Sequence, residues 1–129
     1  MKKILLVVLV VLLALFLVSC IRQTVKTESR FLDDYTFDEV WTASIRAVND
    51  IDFTVDSLDK DAGFIGAESG PPIGQDLPAR LSIMITEARG RVYVNCKVLH
   101  KEYIDLFGHG RRTVRRFMAA LNRNLSRPY

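Results

Sequence analysis

Fifteen consecutive apolar residues, Ile4 to Val18, follow Lys2 and Lys3, and the run stops at Ser19-Cys20. The next ten residues, Ile21-Arg22-Gln23-Thr24-Val25-Lys26-Thr27-Glu28-Ser29-Arg30, have no such character. A basic start, a short apolar region and a small-residue end describe a secretory signal. A retained transmembrane helix needs roughly 20 apolar residues, with about 17 as the lower limit, to cross a hydrocarbon core of ~30 Å. The run falls short. Residues 1–19 are therefore expected to be a signal peptide, and the fold is to be sought in the 110 residues that remain.

Leu17-Val18-Ser19-Cys20 resembles the lipobox of bacterial lipoproteins, with an aliphatic residue three before the cysteine and a small one just before it. The resemblance implies that the Cys20 thiol is diacylglycerylated and that the signal is removed, leaving lipidated Cys20 as the mature N-terminus. One lipid chain holds a protein marginally and several hold it firmly, at about 0.8 kcal/mol per buried CH₂. The membrane is thus the first expected partner, reached through the N-terminal lipid. In Gram-negative bacteria such proteins stay at the inner membrane mainly when aspartate follows the cysteine. Here Ile21 follows, which implies a cell-envelope location on the periplasm-facing leaflet of the outer membrane if the host is Gram-negative.

A chain of 110 residues suits one domain that can bury a core without disulfides or metals. Cys96 is the only cysteine beyond Cys20, and it sits in the alternating run Val92, Val94, Cys96, Val98, where a buried, inert thiol is expected. Loss of Lys2 and Lys3 leaves sixteen basic residues against fifteen acidic ones. The balance is uneven: from Lys101 onward the formal charge is +5, and over residues 20–100 it is −4. The domain is polarised rather than basic throughout.

Residues 20–35 are polar, lack a sustained period and are expected to form a lipidated tether, with Phe31 and Leu32 available to dock on the domain that covers residues 36–129. Thr36-Phe37-Asp38-Glu39 matches a capping box, and the helix after it should run to about Asn49. Its apolar positions, among them Val40, Trp41, Ile45 and Val48, share an arc of about 160°. Asp52 to Asp56 alternates as a half-buried strand does. Asp59 to Gly63 then turns the chain, with Gly63 suited to a positive φ. Phe64 to Glu68 returns as a strand. Residues 69–79 hold three prolines and two glycines and are expected to be a long exposed loop, a natural place for a partner contact. Two further strands alternate through Leu81, Ile83, Ile85 and through Val92, Val94, Cys96, Val98. A second helix, from about Arg111 to Leu125, places Val114, Phe117, Met118, Leu121 and Leu125 on one arc and Arg111, Arg112, Arg115, Arg116 and Arg123 on the adjoining one.

The resulting order, α-β-β-β-β-α, predicts an α+β fold: a four-stranded antiparallel sheet with two helices packed on one face. Trp41, Val48, Phe53-x-Val55, Gly63-x-Ile65 and Phe107-Gly108 before a C-terminal helix resemble a family of small bacterial lipoproteins classed as a domain of unknown function. A weaker likeness links the layout to lipoprotein C of the outer-membrane β-barrel assembly machine. Both resemblances imply an envelope lipoprotein, and neither supplies a catalytic residue.

Chemistry-bearing residues are sparse. His100 and His109 make two ligands at most, which is a poor metal site. Asp33-Asp34 lies where no buried cleft would raise a carboxyl pKa, and Gly70 and Gly74 lack the lysine, strand and helix of a phosphate loop. No enzyme, cofactor, metal or catalytic residue is expected. Two functions remain: a non-enzymatic interaction or structural module, or a small apolar-ligand binder with a cavity between sheet and helices. The module would use the proline-rich loop and an open sheet face bearing Ser82, Met84, Thr86, Tyr93, Asn95 and Lys97. Its expected partners are an envelope protein or the cell wall. Nucleic acid is set aside because the compartment holds none to regulate. The site residues are thus Cys20 for lipidation and Arg112, Arg115, Arg116 and Arg123 for surface contact.

Overall fold

The computed structural model describes residues 1–19, 25–70, 79–100 and 108–127. Along them run α1 (Lys2–Ser19), β1 (Val25–Leu32), α2 (Phe37–Asp50), β2 (Phe53–Asp59), β3 (Phe64–Ser69), β4 (Ala79–Ala88), β5 (Arg91–His100) and α3 (His109–Leu125). The strands form one antiparallel sheet in the order β1-β5-β4-β3-β2. The first and last strands are therefore neighbours, although Val25 and its partner Leu99 are far apart in the chain.

The α+β class and the antiparallel sheet match the expectation, but the element count does not. Among the described residues there are five strands and three helices, in the order α-β-α-β-β-β-β-α. The additional strand, β1, occupies residues 25–32 of the expected tether and pairs with β5 along its whole length. It escaped detection because its pattern is inverted. The positions facing the helices, Lys26, Glu28 and Arg30, are charged and half-buried, and only Leu32 is buried. Inward-pointing charges are a known device for protecting a sheet edge from pairing with another chain, and they erase the hydrophobic alternation that marks a strand. The third helix, α1, covers the expected signal. Its side chains from Ile4 to Leu13 are all at least half exposed. Eighteen residues at 1.5 Å each give about 27 Å, and among the described residues no helix is long and apolar enough to cross a membrane.

Local chemistry accounts for the boundaries. Thr36 caps α2: its Oγ1 accepts from the Glu39 N–H at 3.3 Å, and its own N–H donates to Glu39 Oε2 at 2.8 Å. The helix ends through Asp52, whose φ of 65° supplies the left-handed residue usually given by glycine. Asp59 Oδ1 accepts from the Ala62 N–H at 3.0 Å, and Gly63 closes that turn at φ 71°. Arg89 and Gly90, both at positive φ, make the two-residue link of the β4–β5 hairpin, as a type I′ turn demands.

Helices α2 and α3 pack on one face of the sheet. Val40, Ala47 and Val48 from α2 and Phe117 and Leu121 from α3 meet Ile65, Leu81, Ile83, Val94, Cys96 and Val98, all without solvent exposure. Asn124 joins the helices, donating from Nδ2 to Asp50 Oδ2 at 2.8 Å and to the Ala120 carbonyl at 2.9 Å.

Candidate functional site

The sheet face turned away from the helices carries the first candidate surface. Strand register sets its rows: Ser29, Asn95, Met84 and Phe64 stand side by side across four strands, and Phe31, Tyr93 and Thr86 form the next row. Phe31 and Tyr93 pack with ring centroids 4.9 Å apart, and the Arg91 guanidinium lies 4.4 Å from the Phe31 centroid. Asn95 Nδ2 donates to Ser29 Oγ at 2.7 Å. The expected outward residues Ser82, Met84, Thr86, Tyr93, Asn95 and Lys97 all lie on this face. Phe31 and Phe64 belong to it as well and were missed, Phe31 because its strand was hidden.

At one edge of the face the bulge in β2 between Val55 and Ser57 turns Asp56 toward Arg80, as bulges re-aim side chains. Arg80 Nη1 reaches Asp56 Oδ2 at 3.1 Å and Glu68 Oε1 at 2.7 Å. Gly66 lies beneath this cluster, where a Cβ would crowd Asp56, Ser57 and the Phe64 ring. Charged groups thus line this edge of a face whose central rows are polar and aromatic.

The second candidate surface is the outer face of α3. Arg111, Arg112, Arg115, Arg116 and Arg123 are all exposed, while Val114, Phe117, Met118, Ala120 and Leu121 are buried. Arg116 approaches Asp52 at 3.8 Å; among the described residues Arg112, Arg115 and Arg123 make no ion pair. The first turn of α3 holds no acidic residue, and its N-cap, Gly108, offers no side-chain cap. Arg111 and Arg112 therefore sit near the positive end of the helix dipole, an arrangement that does not favour the helix.

Cys20, the proposed lipidation site, lies outside the described residues, as do positions 71–78 of the proline-rich loop. The ends of that loop are tied together, since the Ala79 N–H donates to Ser69 Oγ at 2.8 Å. Val25, where the chain enters the sheet, shares one end of it with Leu99, Ala79 and Ser69.

An open depression of about 380 Å³ lies at the other end, lined by Asp33, Asp34, Tyr35, Thr36, Phe37, Asp38, Glu87, Gly90 and Val92. Its four carboxylates do not converge: among the described residues no cluster of acids, histidines or cysteines could hold a metal ion. Arg91 holds Asp33 with Nε at 2.7 Å and Nη2 at 3.0 Å, which lowers the Asp33 pKa by hydrogen bonding and charge. A carboxylate so paired is a poor general acid. The depression does not suit an apolar ligand, and the space between sheet and helices is occupied by Phe117, Met118, Leu121 and Val48. Cys96 faces that interior. Burial, with a smaller contribution from the Glu28 charge, pushes its thiol from 9.0 up to about 12, so it stays protonated and unreactive at neutral pH.

No family model matches the chain, and no curated protein matches it. Solved structures do. The crystal structure of Ara h 8.0201 is similar over 82% of this chain and 100% of that one, with a TM-score of 0.58 and 13% identity. The crystal structure of an uncharacterized protein from Bacillus thuringiensis is similar over 79% of this chain and 96% of that one, with a TM-score of 0.52 and 9% identity. At these identities the likeness concerns the fold alone. It supports an antiparallel sheet gripping helices on one face and assigns no chemistry.

Proposed function

We propose that the chain is an envelope lipoprotein, held in a membrane by a lipidated Cys20, whose domain acts as a non-enzymatic interaction module. The observation that carries this reading is the position of the lipobox relative to the fold. Cleavage before Cys20 would remove α1, which among the described residues contributes none to the core, and leave β1 intact from Val25. Only residues 20–24 would then separate lipid from sheet, a reach of at most about 17 Å at ~3.3 Å per residue. The domain would sit at the membrane surface rather than on a long stalk.

The module reading draws support from the open sheet face, where Phe31, Tyr93, Met84 and Phe64 offer aromatic and flexible apolar contacts among small polar groups. Aromatic and methionine side chains are enriched in interface cores. The burial of Phe117, Met118, Leu121 and Val48 between sheet and helices gives less support to the apolar-ligand alternative. The protonated Cys96 and the paired Asp33 favour a non-enzymatic role. Ile21 after the cysteine favours the periplasmic face of the outer membrane in a Gram-negative host.

Metabolic labelling with palmitate tests the anchor. The wild-type chain should take up label and appear at its processed mass, and Cys20→Ala should take up none and accumulate as precursor. Label in the alanine variant would end the lipoprotein reading.

A further inference from the structure

We infer that the arginine face of α3 docks electrostatically on the anionic headgroups of the leaflet that holds the lipid. This rests on the lipoprotein reading and adds which surface meets the membrane and what it meets there. Three observations carry it. First, Arg112, Arg115 and Arg123 make no ion pair among the described residues, Arg116 has one distant partner, and all four are exposed. From Arg112 to Arg123 they run along about 16 Å of helix on one side, interrupted only by small or polar residues such as Ala119 and Asn122.

Second, among the described residues the face gives the fold little, its one ion pair being that of Arg116 with Asp52. Arg111 and Arg112 oppose the helix dipole, and the apolar side of α3 is fully used in the core, since Val114, Phe117, Met118 and Leu121 are all buried. The helix cannot turn an apolar side into lipid without unfolding the domain, so the contact is one of charge and not of insertion. Third, β1 begins five residues after Cys20, and α3 packs against β1 and β5. That distance keeps the domain close to the headgroups, where an anionic surface attracts basic side chains within a Debye length of about 8 Å. At the other end of the sheet Asp33 and Asp38 are paired with Arg91 and Lys60, while Asp34 and Glu87 make no ion pair among the described residues and are repelled by the same surface, so the polarised charge orients the domain.

The test uses the full chain, purified from membranes in acylated form and reconstituted in vesicles. Ala119→Cys places a spin label in the middle of the arginine face, and Met84→Cys places one on the sheet face as a control. Cys96 is buried and stays unlabelled. Nickel chelated to a lipid headgroup reports approach by relaxing the label. In phosphatidylcholine mixed with phosphatidylglycerol the Ala119 label should be relaxed, and in phosphatidylcholine alone or in high salt it should not. Each arginine changed to glutamine among 112, 115, 116 and 123 should lower the docked-to-free ratio about fivefold. An acylated chain whose Ala119 label ignores phosphatidylglycerol, or whose Met84 label is relaxed instead, overturns the inference alone. So does a label that responds to purified cell wall and not to anionic lipid. A purified chain whose mass carries no diacylglyceryl group overturns the lipoprotein reading, and the inference with it.

Discussion

Arg91 grips Asp33 with two nitrogens, Nε at 2.7 Å and Nη2 at 3.0 Å, and so ties the start of β5 to the turn that leads from β1 into α2. The same guanidinium lies over Phe31. A planar fork of this kind pairs with a carboxylate in a way lysine cannot reproduce. Both partners are exposed, so the pair fixes geometry more than it stabilises. A double-mutant cycle with Arg91→Ala and Asp33→Asn should show a favourable coupling that shrinks in salt. The Asp33 pKa is lowered in the folded state, so this coupling is fully present above the ordinary carboxylate range and is lost as pH falls through the lowered value. Coupling that persists in acid would mean that hydrogen bonding to the neutral carboxyl, and not the charge pair, carries it.

Trp41 is 7% exposed and stacks on Phe37 with ring centroids 6.1 Å apart. Trp41→Ala should cost about 3–5 kcal/mol, comparable to the whole stability of a small domain. Thermal unfolding followed by circular dichroism measures this, and an unchanged midpoint would show that the indole does not support the core.

Ser44 lies fully buried on the inner face of α2, and its Oγ finds no hydrogen-bond partner among the described residues. Burial of an unpaired hydroxyl costs about 1–3 kcal/mol on protein scales. Ser44→Ala removes that cost for the loss of one small group, and it should raise stability by about 1 kcal/mol. A lower urea midpoint would show that the hydroxyl is satisfied.

Helix α2, the β2–β3 hairpin, β4, β5 and α3 were all legible in the sequence because each carries a local signal. Thr36 with Glu39 marks a cap, Gly63 a turn, Val92 to Val98 an alternation, and Val114 to Leu125 a helical stripe. The buried place of Cys96 was legible for the same reason. Strand β1 was not, because a strand is recognised by apolar residues on its covered face and this one puts Lys26, Glu28 and Arg30 there. The aromatic pair Phe31–Tyr93 went unseen with it, since the pairing depends on β1 lying beside β5. The arginine face was legible from spacing alone, whereas its scarcity of ion partners depends on where the acidic residues fold.

Gly63 and Gly90 both have positive φ, but their surroundings differ. A Cβ on Gly63 would collide with the Ile85 carbonyl oxygen, and the Gly63 carbonyl accepts from the Ile85 N–H at 2.8 Å. A Cβ on Gly90 would meet nothing within 4 Å. Gly90→Ala should therefore cost about 1–2 kcal/mol for the backbone alone, and Gly63→Ala clearly more. Equal losses in urea unfolding would mean that β4 yields at Ile85 without penalty.

Cys96 titrates near 9.0 when unfolded and is pushed up to about 12 in the fold. The folded state thus binds the extra proton between these values, and stability falls as pH rises from about 9 to about 12, by up to about 1.4 kcal/mol per unit. Cys96→Val should flatten that slope relative to the wild type. Identical slopes would mean that the thiol is hydrated.

The adjacency of β1 and β5 also sets a schedule. A chain that emerges N-terminus first presents Val25 to Leu32 early, but their partners, Val92 to Leu99, follow about sixty residues later. Contacts between such distant segments form slowly because a long loop must close first. Until β5 arrives, β1 has no strand to join, and with Lys26, Glu28 and Arg30 on its inner side it has little apolar surface to expose. A chain interrupted after β4 would hold α2 and the paired strands β2, β3 and β4, with no partner for β1. The sheet is closed at one edge by its oldest strand, which must wait for β5.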